Sequence, residues 1–179
     1  MDKVIDRVLV SEEDIRVKVK ELGERISKDY QDKDLLVVGI LKGALVFMAD
    51  LIRAIHIPIE IDFMAVSSYG AGAKSSGAVR ILKDLDRAIE NRHILIVEDI
   101  VDTGLTLNYL MDNLKSRGAA SVKVCTALDK PSRRKTLVTP DYNGFTIPDE
   151  FVIGYGLDYA EQYRHFPFVA VLKREVYEK

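Results

Sequence analysis

Apolar positions along this chain follow two rhythms. Ile15, Val19, Leu22 and Ile26 recur at spacings of four, three and four behind Ser11 and Asp14. That period predicts an amphipathic helix to about Asp29, opened by Ser11. "DLLVVGI" (34–40) is instead an unbroken apolar run rich in Val and Ile, the composition of a strand buried on both faces. Gly39 to Gly43 is read as a turn, and "GALVFMADLIRAI" after it as a second helix. "IPIEIDFMAV" (57–66) alternates apolar and polar residues, as a strand does. "HILIV" (93–97) predicts another buried strand, Leu105 to Arg117 a helix stopped by Gly118, and "SVKVCTAL" (121–128) a further strand.

Strand and helix thus alternate with short connections. This is the pattern of an α/β chain with a mostly parallel central sheet and helices on both faces. The carboxyl third breaks the rhythm, with Pro140, Pro148 and Pro167 among short apolar bursts, "FVIGYG" and "FPFVAVL". It reads as a last core strand and then a small hood lobe, completed by the amino-terminal "VIDRVLV". The expectation is a single domain over 1–179, with a core of about 11–150 and a hood from about 1–10 and 151–179. A length of 179 residues suits one domain with its own core. The one low-complexity segment, "SSYGAGAKSSG" (67–77), lies between two strand-like stretches and is read as a Gly- and Ser-rich lid.

Composition narrows the classes. Hydrophobic residues make up 47% and charged residues 30%, ordinary values for a soluble globular protein. A formal net charge of −2 gives no general attraction to nucleic acid or anionic membrane. No apolar stretch approaches the roughly 18 to 20 residues of a membrane span, and "MDKVIDRVLV" lacks the apolar core of a secretory signal. The expectation is a cytoplasmic enzyme or binding protein with neither nucleic acid nor membrane as partner. Cys125 is the only cysteine, so no intrachain disulfide forms, and its strand-like flanks mark a core thiol. His56, His93 and His165 show no metal-ligand spacing.

The chemistry concentrates in "ILIVEDIVDTGLT" (94–106). Helix starts expose unpaired N–H groups and the positive end of the helix dipole. Gly104 permits close backbone approach, and Thr103 and Thr106 add hydroxyls, so "DTGLT" makes a phosphate cradle. The competing reading is plain helix capping by Asp102 or Thr103. Capping leaves Glu98 and Asp99 unexplained; a vicinal acidic pair beside a phosphate site suits a ribose diol or a hydrated Mg2+. Two rival motifs fail. "DTG" in an aspartic protease needs a second carboxylate partner in an all-β fold, and no second "DTG" occurs. "GAGAKSSG" has Ala73-Lys74-Ser75 where a Walker A loop needs Gly-Lys-Ser.

Read as an acidic sugar site plus a phosphate turn, "VEDIVDTGLT" resembles the phosphoribosyl pyrophosphate (PRPP) motif of type I phosphoribosyltransferases. "ILKGA" resembles the pyrophosphate loop of that family, "SSYG" its lid, "LDKPSRR" its base-contacting loop and "PDEFVIGYGLDYAEQYR" its purine hood. The ordered set resembles the hypoxanthine-guanine branch. The resemblance implies a 6-oxopurine and PRPP as small-molecule substrates, giving a nucleoside 5′-monophosphate and pyrophosphate in purine salvage. It implies Mg2+ as cofactor and a homodimer or homotetramer.

Carried over by position, the resemblance gives Glu98 and Asp99 the ribose hydroxyls, directly or through Mg2+, and Asp102 the purine imidazole edge as general base. Thr103, Gly104, Leu105 and Thr106 would hold the 5′-phosphate; Leu105 departs from the Lys that many relatives carry. Lys42, Gly43 and Arg164 would bind pyrophosphate, with a non-proline cis bond at Leu41–Lys42, and Ser68 and Tyr69 would close over PRPP. Lys130 would donate to the purine 6-oxo group, with Arg134 supporting that region or the pyrophosphate. Phe151 would stack on the base, the Val152 backbone would read its pyrimidine edge, and Asp158 would hold a second Mg2+. Without the family, Phe151 reads as core and "KPSRRK" as a basic surface loop. Two rival functions remain at this level: a PRPP-sensing regulator that binds RNA, and a phosphoribosyltransferase for xanthine or adenine.

Overall fold

The computed structural model describes residues 3–68 and 79–178, with Ser68 described through its backbone only. In chain order it runs β1 (Ile5–Val10), α1 (Glu12–Asp29), β2 (Leu35–Leu41), α2 (Leu45–Arg53), β3 (Glu60–Ser68) and β4 (Val79–Lys83). Then come β5 (His93–Val101), α3 (Leu105–Ser116), β6 (Ser121–Asp129), β7 (Tyr142–Thr146), β8 (Val152–Ile153), β9 (Val169–Leu172) and α4 (Arg174–Tyr177). A six-stranded sheet in the order β4-β3-β2-β5-β6-β7 forms the centre. It is parallel except at its edge, where β4 runs antiparallel to β3.

Helix α1 starts where its sequence dictates. Ser11 Oγ accepts the Asp14 N–H at 3.1 Å, and Glu12, Glu13 and Asp14 occupy the positive end of the dipole. Its stripe of Ile15, Val19, Leu22 and Ile26 packs with α2 on one face of the sheet, against Leu35, Val37, Leu95, Val97 and Cys125. The alternate residues, Leu36, Val38, Ile94, Ile96 and Val124, face Leu107, Leu110 and Leu114 of α3 on the other. Burial on both sides explains why Leu35–Ile40 of β2 and Ile94–Val97 of β5 form unbroken runs without a polar side chain rather than alternating. Burial also pushes the Cys125 thiol up, away from reactivity.

Three strand boundaries differ from the sequence-based reading, each for a physical reason. Strand β2 passes through Gly39 to Leu41, so the turn begins only at Lys42. Gly39 is a strand residue on which α2 lies: a Cβ there would stand 2.3 Å from Met48 Sδ. Strand β3 begins at Glu60, because Pro58 has no N–H to give to a ladder. Strand β5 continues four residues past Val97, carrying Glu98 and Asp99 inside the strand instead of beyond it.

That extension positions the site. Strand β5 pairs with β2 only as far as Gly39–Val97, yet stays with β6 to Val101–Asp129. The sheet therefore splits at Glu98, at the point where chain order reverses between β2 and β5. A crevice beyond the carboxyl ends of the strands at such a switch is where open α/β sheets bind ligands. A small antiparallel sheet, β1-β9-β8, stands over it. Its loop rests directly on the turn after β2: a Cβ on Gly156 would lie 2.1 Å from the Gly43 carbonyl oxygen.

Helix α1 packs tightly at Gly23 against the end of α2, where a Cβ would stand 2.3 Å from the Ala54 carbonyl oxygen. Gly23→Ala gains about 1 kcal/mol of helix propensity, but the backbone clash outweighs it. Urea unfolding should show a net loss of about 1–3 kcal/mol; unchanged or increased stability would contradict so close a crossing.

Candidate active site

A crevice of about 500 Å³ opens at the carboxyl end of β5. Asp99, Asp102, Lys130, Phe151, Val152 and Asp158 line it together, although they come from four separate stretches of chain. Ile100, Arg133, Asp149, Glu150, Leu157 and Tyr177 complete the wall. Glu98, Lys42, Gly43, Arg164 and the 103–106 turn lie outside that wall but join it by direct or one-step contacts. Tyr69 lies outside the described residues, and Ser68 is known here only as the last residue of β3.

The acidic residues sit where strand alternation slips. Leu95 and Val97 face α1 and α2 while Ile94 and Ile96 face α3, but Ile100 joins the first face and Val101 the second. Burial first, and then the Asp99 charge, push the Glu98 carboxyl well above its ordinary range. Among the described residues no hydrogen bond or ion pair reaches that carboxylate. Burial also raises Asp99, opposed by the Ile100 N–H that it accepts at 2.8 Å and by the charge of Arg164. Gly43 packs directly against it: a Cβ there would fall 1.9 Å from Asp99 Oδ2 and push that carboxylate aside.

The turn that follows ends in a left-handed Gly104 (φ 80°) at the N-cap of α3, a residue with no side chain to cap with. Thr103 Oγ1 accepts the Leu105 N–H at the helix start, a long bond at 3.4 Å. The turn is braced from behind. Arg134 donates to the Asp102 carbonyl at 3.1 Å and also binds the Val138 carbonyl and the Asp129 carboxylate. The Lys135 N–H donates to the Thr103 carbonyl at 2.8 Å. Arg134 thus supports this region, with its guanidinium committed to protein partners.

Cations ring the crevice, each beside a carboxylate. Lys42 Nζ donates to Glu161 Oε2 at 2.8 Å, and the Leu41–Lys42 peptide before it is cis. Arg164 lies 3.1 Å from Asp158 and 3.6 Å from Glu161, and donates to the Gly156 carbonyl at 2.8 Å. Lys130 is 7% exposed, yet its nearest carboxylate, Asp149, is 3.9 Å away. Asp102 Oδ1 is shut off from solvent and receives no hydrogen bond, although Arg133 Nε stands 2.8 Å from it.

Phe151, expected in the core from its own neighbourhood, is 38% exposed. Its ring is stacked on Tyr177 at 4.9 Å and 24° and meets Tyr159 edge-on at 5.7 Å. Sequence reasoning missed Tyr177 and Asp149, which carry no local signal. It also left Arg133 inside a basic run that read as surface.

The phosphoribosyl transferase domain model matches residues 10–160. The chain is 57% identical to the hypoxanthine-guanine phosphoribosyltransferase of Bacillus subtilis, over 97% of each chain. It is also 57% identical to that of Lactococcus lactis, over 100% of this chain and 97% of the other. A hypoxanthine phosphoribosyltransferase from Staphylococcus aureus superposes with a TM-score of 0.95 at 52% identity, over 98% of this chain and 95% of that one.

The raised Glu98 pKa fixes the sign of a pH effect. Above the ordinary 4.5 and below the folded value, the folded state keeps a proton that the unfolded chain has lost. Stability contributed by this group therefore falls as pH rises through that window. Glu98→Gln should melt about 2–4 °C above the parent at pH 7.5 and show a shallower decline from pH 5 upward. Parallel pH profiles for the two proteins would contradict the desolvated, uncompensated carboxyl.

Proposed function

The chain belongs to the phosphoribosyl transferase domain family, and from that premise we propose that it joins hypoxanthine or guanine to PRPP, releasing pyrophosphate and IMP or GMP. It is an enzyme, a transferase of purine salvage. One observation carries the choice of base. Asp102 lines the crevice with Oδ1 against Arg133 and, among the described residues, no hydrogen bond to Oδ2, and Lys130 is buried with its nearest carboxylate at 3.9 Å, both in the wall of one crevice. An unfilled acceptor and a loosely paired donor complement the imidazole N–H and the 6-oxo group of a 6-oxopurine. Adenine, with an amino group at position 6, leaves the Lys130 ammonium facing another donor.

In this proposal Glu98 and Asp99 hold the ribose hydroxyls. The Thr103–Thr106 turn holds the 5′-phosphate on backbone N–H groups and on the Thr103 and Thr106 hydroxyls, with Gly104 permitting the approach and Leu105 adding only its backbone donor. Lys42, Gly43 and Arg164 receive the pyrophosphate, exchanging Glu161 and Asp158 for its oxygens. Phe151 stacks on the base, its ring orientation set by Tyr177 and Tyr159, and the Val152 backbone meets the pyrimidine edge. Ser68 and Tyr69 close over PRPP and exclude water.

The bond from ribose C1 to the pyrophosphate oxygen breaks through an oxocarbenium-like state while the purine nitrogen bonds to C1. Asp102 takes the proton that this nitrogen gives up. Buried carboxylates nearby favour the positive sugar, and Lys42 and Arg164 favour the departing anion.

Mg2+ fits the donor set. Glu98, Asp99 and Asp158 offer only hard carboxylate oxygens, and burial raises the first two. Among the described residues no three His, Cys, Asp or Glu side chains form a metal cage; Mg2+ typically takes one or two carboxylates, with water and substrate phosphates filling the rest. When bound, the ion would supply electrostatic stabilisation to phosphate oxygens.

The proposal takes 1–179 as one domain, with a core of about 11–150 and a hood from about 1–10 and 151–179. Val10, Val152, Leu157 and Val169 pack into the same cluster as α1 and α2, which supports one cooperative unit. A homodimer or homotetramer, acting in the cytoplasm where phosphorylated substrates are retained, completes it. No helix among the described residues is long and apolar enough to cross a membrane.

Asp102→Asn should lower turnover by roughly 10²–10⁴-fold while PRPP affinity changes little; parent-like turnover would remove Asp102 from the base role. Lys130→Ala should narrow the preference for hypoxanthine over adenine, read as a ratio of kcat/KM values. An unchanged ratio would count against Lys130 as the reader of the 6-oxo group.

A further inference from the structure

The segment "KPSRR" holds three cations that the structure puts to different uses. Pro131–Arg133 form a single 3-10 turn, and three residues per turn bring Lys130 and Arg133 to one side. Both approach the same atom, Asp149 Oδ1: Lys130 Nζ at 3.9 Å and Arg133 Nη1 at 3.5 Å. Arg133 Nε stands at the same time 2.8 Å from Asp102 Oδ1. Arg134 turns the other way, onto backbone carbonyls and Asp129. A chain of alternating charge, Lys130–Asp149–Arg133–Asp102, therefore runs along the crevice wall, and all four residues line it.

Fold stability does not account for this chain. The Arg133 and Asp102 side chains are 48% and 42% exposed, so water screens the pair and its worth is about 0–1 kcal/mol. The contact is also incomplete, because the Arg133 N–H is not aimed at Asp102 Oδ1, which stays without a hydrogen bond. A carboxylate three and four residues beyond Asp99 and Glu98 is repelled by both when they ionise, and Arg133 is the cation in ion-pair contact with it among the described residues.

We infer that Arg133 is a positioning residue for Asp102, anchored in turn by Asp149. This rests on the reading of Asp102 as general base. Arg133 holds Oδ1 and keeps the carboxylate from swinging away from its acidic neighbours, leaving Oδ2 as the oxygen free to accept the purine proton. When that proton arrives, Asp102 becomes neutral and Arg133 retains Asp149 as its counter-charge. The guanidinium is therefore never left unpaired during turnover.

The test is a double-mutant cycle on the full chain, with initial rates for hypoxanthine and PRPP. Arg133→Gln should lower kcat by about ten- to a hundredfold, with the KM for PRPP unchanged within about twofold and the melting temperature preserved. Arg133→Lys, which restores charge without the fork, should recover part of the loss. In an Asp102→Asn background Arg133→Gln should cost little further, because its target is gone. Parent-like turnover in Arg133→Gln, an equal loss in both backgrounds, or a collapse in melting temperature would overturn the inference. A parent-like Asp102→Asn enzyme would instead remove the base reading beneath it.

Discussion

Strands β2 and β5 separate after the Gly39–Val97 pair while β5 keeps its bonds to β6 for four more residues. That divergence creates the site. A strand end released on one side and fixed on the other is rigid enough to hold Glu98 and Asp99 and open enough for a ligand to reach them. Gly39 lets α2 lie on β2, and Gly43 lets the next turn come against Asp99. Gly156 then seats the hood on that turn. Three positions without a side chain thus bear on how closely the end of β5, the turn after β2 and the hood approach one another.

Electrostatics shapes the crevice as much as packing does. Desolvation at this strand end holds Glu98 and Asp99 above their usual range, and the Asp99 charge adds to it for Glu98. Around them, Lys42 is paired with Glu161, Arg164 with Asp158, and Arg133 with Asp102 and Asp149. These pairs are at least partly exposed, so each is weak and readily exchanged. In the proposed reaction, substrate anions would replace the protein carboxylates on Lys42 and Arg164 at small cost, while the sugar and a metal ion would relieve the acidic pair. Tight, buried ion pairs in the same places would have made that exchange expensive.

Much of this was legible in the residues. Two-sided burial wrote itself into "LLVVGIL" and "HILIV" as unbroken apolar runs, and Ser11 marked a helix start that the structure places within one residue. The family motifs located the crevice wall at Asp99, Asp102, Lys130, Phe151, Val152 and Asp158. What stayed hidden depends on long-range geometry. The continuation of β5 through two acids contradicts local propensity and is sustained by β6 alone. Phe151 reads as core until Tyr177, 26 positions later, is seen against its ring. Asp149 gains meaning only when a 3-10 turn points Lys130 and Arg133 at it.

The acids and the threonine-flanked turn must serve one ligand if the crevice is to do this chemistry. A crystal structure with a bound purine nucleoside 5′-monophosphate tests this most directly. The ribose hydroxyls should lie within hydrogen-bond distance of Glu98 and Asp99, the phosphate on the 103–106 backbone, and the base between Phe151 and the Asp102 carboxylate. A nucleotide seated elsewhere, or one whose phosphate avoids the Gly104 turn, would contradict it.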